Sequence, residues 1–390
     1  MMGKIKVAIV RTPEEPDEKD IVACVRKSLE LCGVVDNVAK PNDTVLIKPN
    51  ILAVKTVESA AITDPRICKA IADVVRERGA KPVIAESSSV GIDTEEAFRT
   101  GGYDKLRKEG YEVVDLKRKG IETVKVAVPE GKSIKDIVLP KIVVDADVII
   151  SVPKMKTHDG ALVTLSLKNM KGVLSDKLKR QVHQRFGVFQ GVVDLCSVVK
   201  PDLVVMDGIT AMEGFGPSFG DLVKLGLIIV GRDPVATDAV ASVVMGFGAR
   251  EDPIVDLAAK SGLGVANLED IEIVGVDIAK VQRRFKRCSE ALSERVTGQR
   301  GFQLLTDDKT CTGCKNTILQ VLLNFEKTNR LDELKGWIIA AGQLDELPDV
   351  DKERLLLVGV CLAKHKKEGV FVRGCPPLDR DLINAIKMEP

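Results

Sequence analysis

Asp147-Val-Ile-Ile-Ser-Val-Pro-Lys-Met-Lys-Thr-His158 is the stretch from which the fold is read. Asp147–Val152 is a short apolar run with no polar alternation, the pattern of a parallel strand covered on both faces. Pro153 ends the run and holds the next segment extended. Lys154, Lys156 and His158 then alternate and share one side. In an open α/β sheet, the carboxyl end of such a strand opens into the ligand crevice.

The same rhythm extends in both directions. Strands are predicted at Lys6–Val10, Thr44–Ile47, Pro82–Ala85, Tyr111–Asp115, Leu203–Asp207, Leu225–Gly231 and Ile271–Val274. Helices are predicted between them at Glu18–Leu31, Pro65–Arg78, Glu95–Thr100, Tyr103–Lys108, Pro234–Met245 and Asp252–Lys260. Residues 1–280 therefore read as an α/β domain with a doubly wound, mostly parallel sheet. Two stretches break the rhythm. Lys117–Pro140 is polar and reads as a β-excursion or hairpin. Leu174–Gln190 carries Lys177, Lys179, Arg180, His183 and Arg185 and reads as a basic helix or a mobile lid. Residues 281–300 are charged and read as a helical connector, followed by a small cysteine-bearing domain at 301–390.

With 58 basic against 57 acidic residues, the net charge of +1 gives no general electrostatic case for nucleic acid. Aromatics at 3% are poor material for base stacking. The start is not an apolar leader, and no apolar run approaches the roughly 20 residues that span a bilayer. A cytoplasmic location without membrane contact is expected. Nine cysteines in that compartment point away from a disulfide framework and towards metal or redox use.

The cysteines divide by position. Cys24, Cys32, Cys68, Cys196 and Cys288 fall on apolar helical faces or in connectors and read as core or incidental residues. Cys311-Thr-Gly-Cys314 opens an apolar helix, Cys361 follows the strand-like Leu355–Val358, and Cys375 stands in Gly374-Cys-Pro-Pro377. Four thiolates in one short domain can complete a tetrahedral metal site or an iron–sulfur cubane. Four-cysteine zinc sites usually carry two C-x-x-C pairs, and the second pair is absent. The order C-x-x-C, Gly359-Val-Cys361, Gly374-Cys-Pro-Pro377 resembles the proximal-cluster motif of nickel–iron hydrogenase small subunits and the related complex I subunit. That resemblance implies one [4Fe-4S] cluster on Cys311, Cys314, Cys361 and Cys375. The segment is much shorter than the flavodoxin-like domain of those subunits, so no large subunit follows from it.

Polar residues stand at the predicted strand ends. Lys48, Asn50, Glu86, Lys154, Lys168, Asn169 and Asp238 are candidates for binding a small anionic substrate. Lys156, His158, Lys171, Asp207 and Glu213 are candidates for acid–base work beside it. If the sheet is parallel, the five lysines converge on one crevice. The plainer reading is that each is a solvated strand end, since lysine is mostly exposed. His183 and His365, among basic residues, read as surface positions. Lys48-Pro-Asn50, Thr63-Asp-Pro65, Gly79-Ala-Lys-Pro82, Pro153-Lys-Met-Lys-Thr-His158, Leu167-Lys-Asn-Met-Lys-Gly172, Asp207-Gly208 and Asp233-Pro-Val-Ala-Thr-Asp238 resemble the family called domain of unknown function 362. The resemblance spans about residues 5–275 and implies its fold and an association with iron–sulfur centres. Many members carry a C-terminal ferredoxin-like module, whereas this chain lacks the C-x-x-C-x-x-C-x-x-x-C run.

No Walker A loop, G-x-G-x-x-G turn, H-E-x-x-H helix or G-x-S-x-G elbow occurs, so nucleotide and serine hydrolysis are unsupported. The leading expectation is an iron–sulfur oxidoreductase that exchanges electrons with a redox partner such as a ferredoxin. The alternatives are a non-catalytic electron carrier or cluster scaffold, and a lyase or transferase with a structural cluster. A homodimer is among the arrangements the sequence allows.

Overall fold

The computed structural model describes residues 4–159, 161–288, 290–291, 301–307 and 309–387. The chain falls into two compact units, Met1–Cys288 and Ser289–Pro390.

The first unit is built on strands β1 (Ile5–Arg11), β2 (Thr44–Pro49), β3 (Lys81–Glu86), β4 (Glu112–Asp115), β5 (Thr123–Ala127), β6 (Asp136–Pro140), β7 (Val148–Val152), β8 (Lys154–His158), β9 (Leu162–Thr164), β10 (Leu203–Glu213), β11 (Asp221–Gly231) and β12 (Ile271–Gly275). The main sheet runs β12-β1-β11-β10-β7-β2-β3-β4, with β8 and β9 attached beside β10. β7, β2, β3 and β4 pair in parallel, as the continuous apolar runs predict. β11 is the exception, antiparallel to both β1 and β10. The short loop 214–220 accounts for this, because a parallel return needs a long crossover. Lys117–Pro140 forms the separate antiparallel hairpin β5–β6.

Helices cover both faces. Glu18–Leu31 and Pro65–Glu77 pack over Ile47, Ile150, Val205 and Ile228. Val188–Cys196, Pro234–Val244 and Pro253–Lys260 pack over Leu46, Val83 and Ile149. Three helices start at Asp-Pro, with Asp64, Asp233 and Asp252 capping the first-turn amides and proline in the first turn. Leu174–Gln190 resolves into a helix at Asp176–Gln181, a π-helical turn at Val182–Phe186 and the start of Val188–Cys196.

The helical connector expected over 281–300 needs correction over 282–287, while residues 288, 290 and 291 are helical. Residues 289 and 292–300 lie outside the described residues, and 282–287 are not helical. They form an extended strap in which Arg283 N donates to Val244 O and Phe285 N to Met245 O, both at 2.9 Å. The backbone bonds go to another element instead of the preceding turn. Phe285 is fully buried against Met155, Val163 and Val240.

The second unit is an all-parallel sheet in the order β13 (Gln303–Thr306), β14 (Ile338–Ala341), β15 (Leu355–Val358) and β16 (Val370–Val372). The helix Thr312–Lys327 crosses from β13 to β14 and, with the helix Asp379–Lys387, covers Ile339, Leu356 and Val372.

Candidate functional site

β7 and β8 are separated only by Pro153, and β8 leans on β10 with Lys154 opposite Asp207 and Lys156 opposite Met212. Every residue of β8 is buried. Lys154 and Lys156 are 1% and 0% exposed, and Lys48 at the end of β2 is also 0% exposed. The open lysine crevice expected from the sequence is therefore corrected for these three, whose ammonium groups are consumed internally. Lys154 Nζ donates to Asp207 Oδ2 at 2.9 Å, and that oxygen also accepts from Asp64 N at 2.9 Å. Lys156 Nζ donates to Asn50 Oδ1 at 2.7 Å and Ala61 O at 2.5 Å. Lys48 Nζ donates to Glu86 Oε2 at 2.7 Å, Pro49 O at 2.6 Å and Asn169 Oδ1 at 3.2 Å.

The acceptors are themselves held. Glu86 takes Ile51 N at 3.0 Å and Ser87 N at 2.7 Å. Asn169 Oδ1 also accepts from Asn50 Nδ2 at 3.1 Å, while Asn169 Nδ2 donates to Lys48 O at 2.9 Å and Ser151 Oγ at 3.1 Å. A side chain at Gly172 would overlap Glu86 Oε1 and Lys48 Nζ, so only glycine lets this turn pass over the pair. Burial pulls the Lys48 ammonium down and the Glu86 carboxyl up, each against the opposing charge of its partner. Burial, reinforced by Lys154, holds Lys156 well below the usual lysine range.

A second set lies where β8 ends. His158 Nδ1 is 3.0 Å from Asp159 Oδ1. Lys168, half-buried in the short helix Ser166–Asn169, has Nζ 3.4 Å from Thr164 Oγ1. Burial and then Lys156 pull its ammonium down to about 7, against Asp159 and Asp252. Lys171, in the turn Met170–Val173, brings Nζ to 2.7 Å from His183 Nε2. His183 is corrected from a surface position. It is half-buried on the π-turn and held well below the usual histidine range, first by Lys171, then by burial, Lys168 and His158. Lys171, Lys168 and His158 thus all act on the His183 ring.

Two expected site residues serve the scaffold. Asp238 accepts from Ser166 N at 2.8 Å and Leu167 N at 2.9 Å, anchoring the turn that presents Lys168 and Asn169. Burial pushes its carboxyl up to about 7. Glu213 stands at the far end of β10, where Oε1 takes Arg283 Nη2 at 2.8 Å and Oε2 takes Lys286 N at 3.0 Å, pinning the strap. His365, also expected at the surface, is buried in the second unit, with Nδ1 2.9 Å from Glu368 Oε1 and Nε2 3.1 Å from Leu344 O.

Sequence reasoning missed Lys179 and Asp252. Lys179 Nζ donates to Ser87 O, Ser87 Oγ and Ser88 O at 2.6–2.7 Å, and burial pulls it down to about 7. Asp252 is 2% exposed and burial pushes it up to about 8. The Asp-Pro pairs at residues 64 and 252 were the available signal for buried carboxylates.

In the second unit all four C-terminal cysteines stand beyond the carboxyl ends of the parallel strands. Cys311 is the N-cap of Thr312–Lys327 and Cys314 lies in its first turn. Cys361 follows β15 in the turn Val360–His365, and Cys375 follows β16. The buried Cys314 thiol is pushed far up by the contact with Cys311, by burial, and by Cys361 and Cys375. Burial, Cys311, Cys375 and Asp307 push Cys361 up. Cys314 feels the other three thiols and Cys361 feels Cys311 and Cys375, so the four share one neighbourhood. Gly359 has φ +92° and a Cβ there would sit 2.9 Å from Cys314 Sγ, so the backbone itself closes on the thiol. Gly313 gives room to Pro376, where a Cβ would meet the ring at 3.2 Å. Mutual repulsion between thiolates is what a bound cationic centre would relieve. Among the described residues no group of three or more His, Cys, Asp or Glu side chains is arranged to hold a metal ion.

Residues 45–243 match the family described as Domain of unknown function (DUF362), a span holding Lys48, Asn50, Glu86, the lysines of β8 and the 166–172 turn. This chain belongs to that DUF362 family. A curated relative is the thylakoid-associated protein sll1697 of Synechocystis sp. (strain ATCC 27184 / PCC 6803 / Kazusa), 32% identical over 254 residues, covering 63% of this chain and 75% of that one. Among solved structures, the lactate racemase apoprotein from Thermoanaerobacterium thermosaccharolyticum aligns with a TM-score of 0.40 and 13% identity, over 88% of this chain and 70% of that one. Among the described residues, no helix of this DUF362 protein is long and apolar enough to cross a membrane.

Proposed function

We propose that this protein is an iron–sulfur oxidoreductase acting on a small anionic molecule. The observation that carries the reading is the gathering of Cys311, Cys314, Cys361 and Cys375 beyond the ends of one parallel sheet, with Cys314 feeling the other three. Those thiolates would hold one [4Fe-4S] cluster, which when bound supplies one-electron transfer. In the first unit, Lys168, Lys171, His158 and His183 supply positive charge and ring nitrogens for an anion, over the internally paired Lys48, Lys154 and Lys156. A pure electron carrier has no use for that cationic set, which favours an enzyme. A ferredoxin-type partner and a cytoplasmic location belong to the same proposal.

Protein purified without oxygen should contain about four iron and four sulfide per chain. Cys361→Ser and Cys375→Ser should each lose them. Cys24→Ser, at a half-buried thiol 3.7 Å from Arg11 O in the first unit, should keep them. One zinc per chain with no sulfide would overturn the cluster.

A further inference from the structure

We propose that His183 Nδ1, together with Lys171 and Lys168, binds the carboxylate of a monoanionic ligand. This rests on the anionic-substrate reading and gives it a chemical class and a residue that the sequence placed at the surface.

The tautomer follows from the contact. An ammonium group has only donors, so at 2.7 Å from Lys171 Nζ the ring nitrogen Nε2 accepts. The ring proton of the neutral imidazole is then on Nδ1. That atom is shut off from solvent and has no hydrogen-bond partner, although the residue as a whole is half-buried. A buried N–H without an acceptor bears its full desolvation cost, and such groups are rare enough in folded proteins to require a reason. Lys171 first, then burial, Lys168 and His158, keep the ring from taking a second proton. An arriving oxyanion would meet a neutral N–H donor flanked by ammonium groups.

Charge selects the class. Lys168 and Lys171 both act on the ring, and the carboxylates that act on Lys168 are Asp159 and Asp252, of which Asp252 is pushed by burial up to about 8 and keeps its proton at neutral pH. One added negative charge balances this set, whereas a phosphate dianion exceeds it. The π-turn that carries His183 is the kind of one-turn insertion found often at functional sites. Its residues Gln184 and Arg185 are exposed, on the solvent side of the turn.

The protein has only three histidines, so ring-nitrogen resonances of histidine-labelled protein can be assigned by substitution. Full-length protein is titrated with acetate, oxalate and inorganic phosphate, following the His183 Nδ1 resonance and the dissociation constant. Acetate should shift His183 Nδ1. His183→Phe and Lys171→Met should each weaken acetate at least tenfold, and His183→Gln, which keeps a donor, should recover part of the loss. Acetate binding that His183→Phe leaves unchanged overturns the assignment while leaving the anionic-substrate reading in place. Tighter phosphate than acetate binding overturns the monocarboxylate class. Failure of all three anions to bind the wild type, with its fold intact, overturns both.

Discussion

Asp238 and Asp252 hold protons that an exposed carboxyl would lose. Burial raises them from 3.8 to about 7 and about 8 respectively, although each accepts backbone amides. Between roughly pH 4 and 8 the folded state therefore binds protons that the unfolded chain has released. Stability falls as pH rises through that window. Lys168 and Lys179 have the opposite sign. Burial lowers both from 10.5 to about 7, so above that value the unfolded chain holds the extra protons and stability recovers towards pH 10. Urea midpoints measured from pH 5 to 10 should pass through a minimum near pH 7–8. Asp252→Asn, which keeps an oxygen for the Ile254 amide, should flatten the acid limb. A profile that rises steadily from pH 5 would show these carboxyls to be ionised in the folded protein. The residue types at these positions were legible in the sequence, but their depth was not. Lysine is exposed in most proteins, and the groups that allow Lys48 and Lys156 to be buried include Pro49 O and Ala61 O, backbone atoms that no motif names. Likewise Lys171 and His183 meet through a turn of non-standard pitch, so no α-helical spacing links them.

At the scale of elements, the continuous β-branched runs were sufficient to identify the parallel strands and the helices between them. The direction of β11 depended on a loop too short for a crossover, a signal present at 214–220 but weaker than the apolar run that followed it. The strap at 282–287 was misread because its charge pattern, Gln282-Arg-Arg-Phe-Lys-Arg287, suits a solvated helix. Tertiary contacts decide otherwise. Phe285 inserts into the core and Glu213 fastens Lys286 and Arg283 from the end of β10. The strap also reaches the site strand, since Lys286 O accepts from Gly214 N at 2.8 Å and Gly214 O accepts from Thr157 Oγ1 at 3.1 Å. Phe285→Ala should cost about 3–5 kcal/mol, the usual loss for a fully buried phenylalanine. It should also open 282–288 to limited proteolysis, where the wild type is protected. Equal cleavage of both proteins within that segment would mean that the strap is not held.

At the scale of the molecule, the two units differ in what their folding requires. The first buries three lysines and their carboxylate and amide partners without leaving the unit: Lys48 with Glu86, Lys154 with Asp207, and Lys156 with Asn50 all join residues between 48 and 207. Its core likewise closes on helices and strands of the first unit, with Phe285 as the last large side chain. The second unit has its own sheet and core around Phe325, Trp337 and Leu356. A fragment of residues 1–288 should therefore fold alone, unfold in one cooperative step and keep the pH minimum argued above, because every group in that argument lies within it. It should contain no iron or sulfide, since all four gathered thiols lie beyond residue 288. In the full chain, oxygen exposure or chelation that strips iron should lower only a transition absent from the fragment. The measurement is calorimetry of the full chain before and after iron removal, beside the fragment. A fragment that remains unfolded, or a transition common to both proteins that shifts when iron is removed, would show that the first unit depends on the second for its stability.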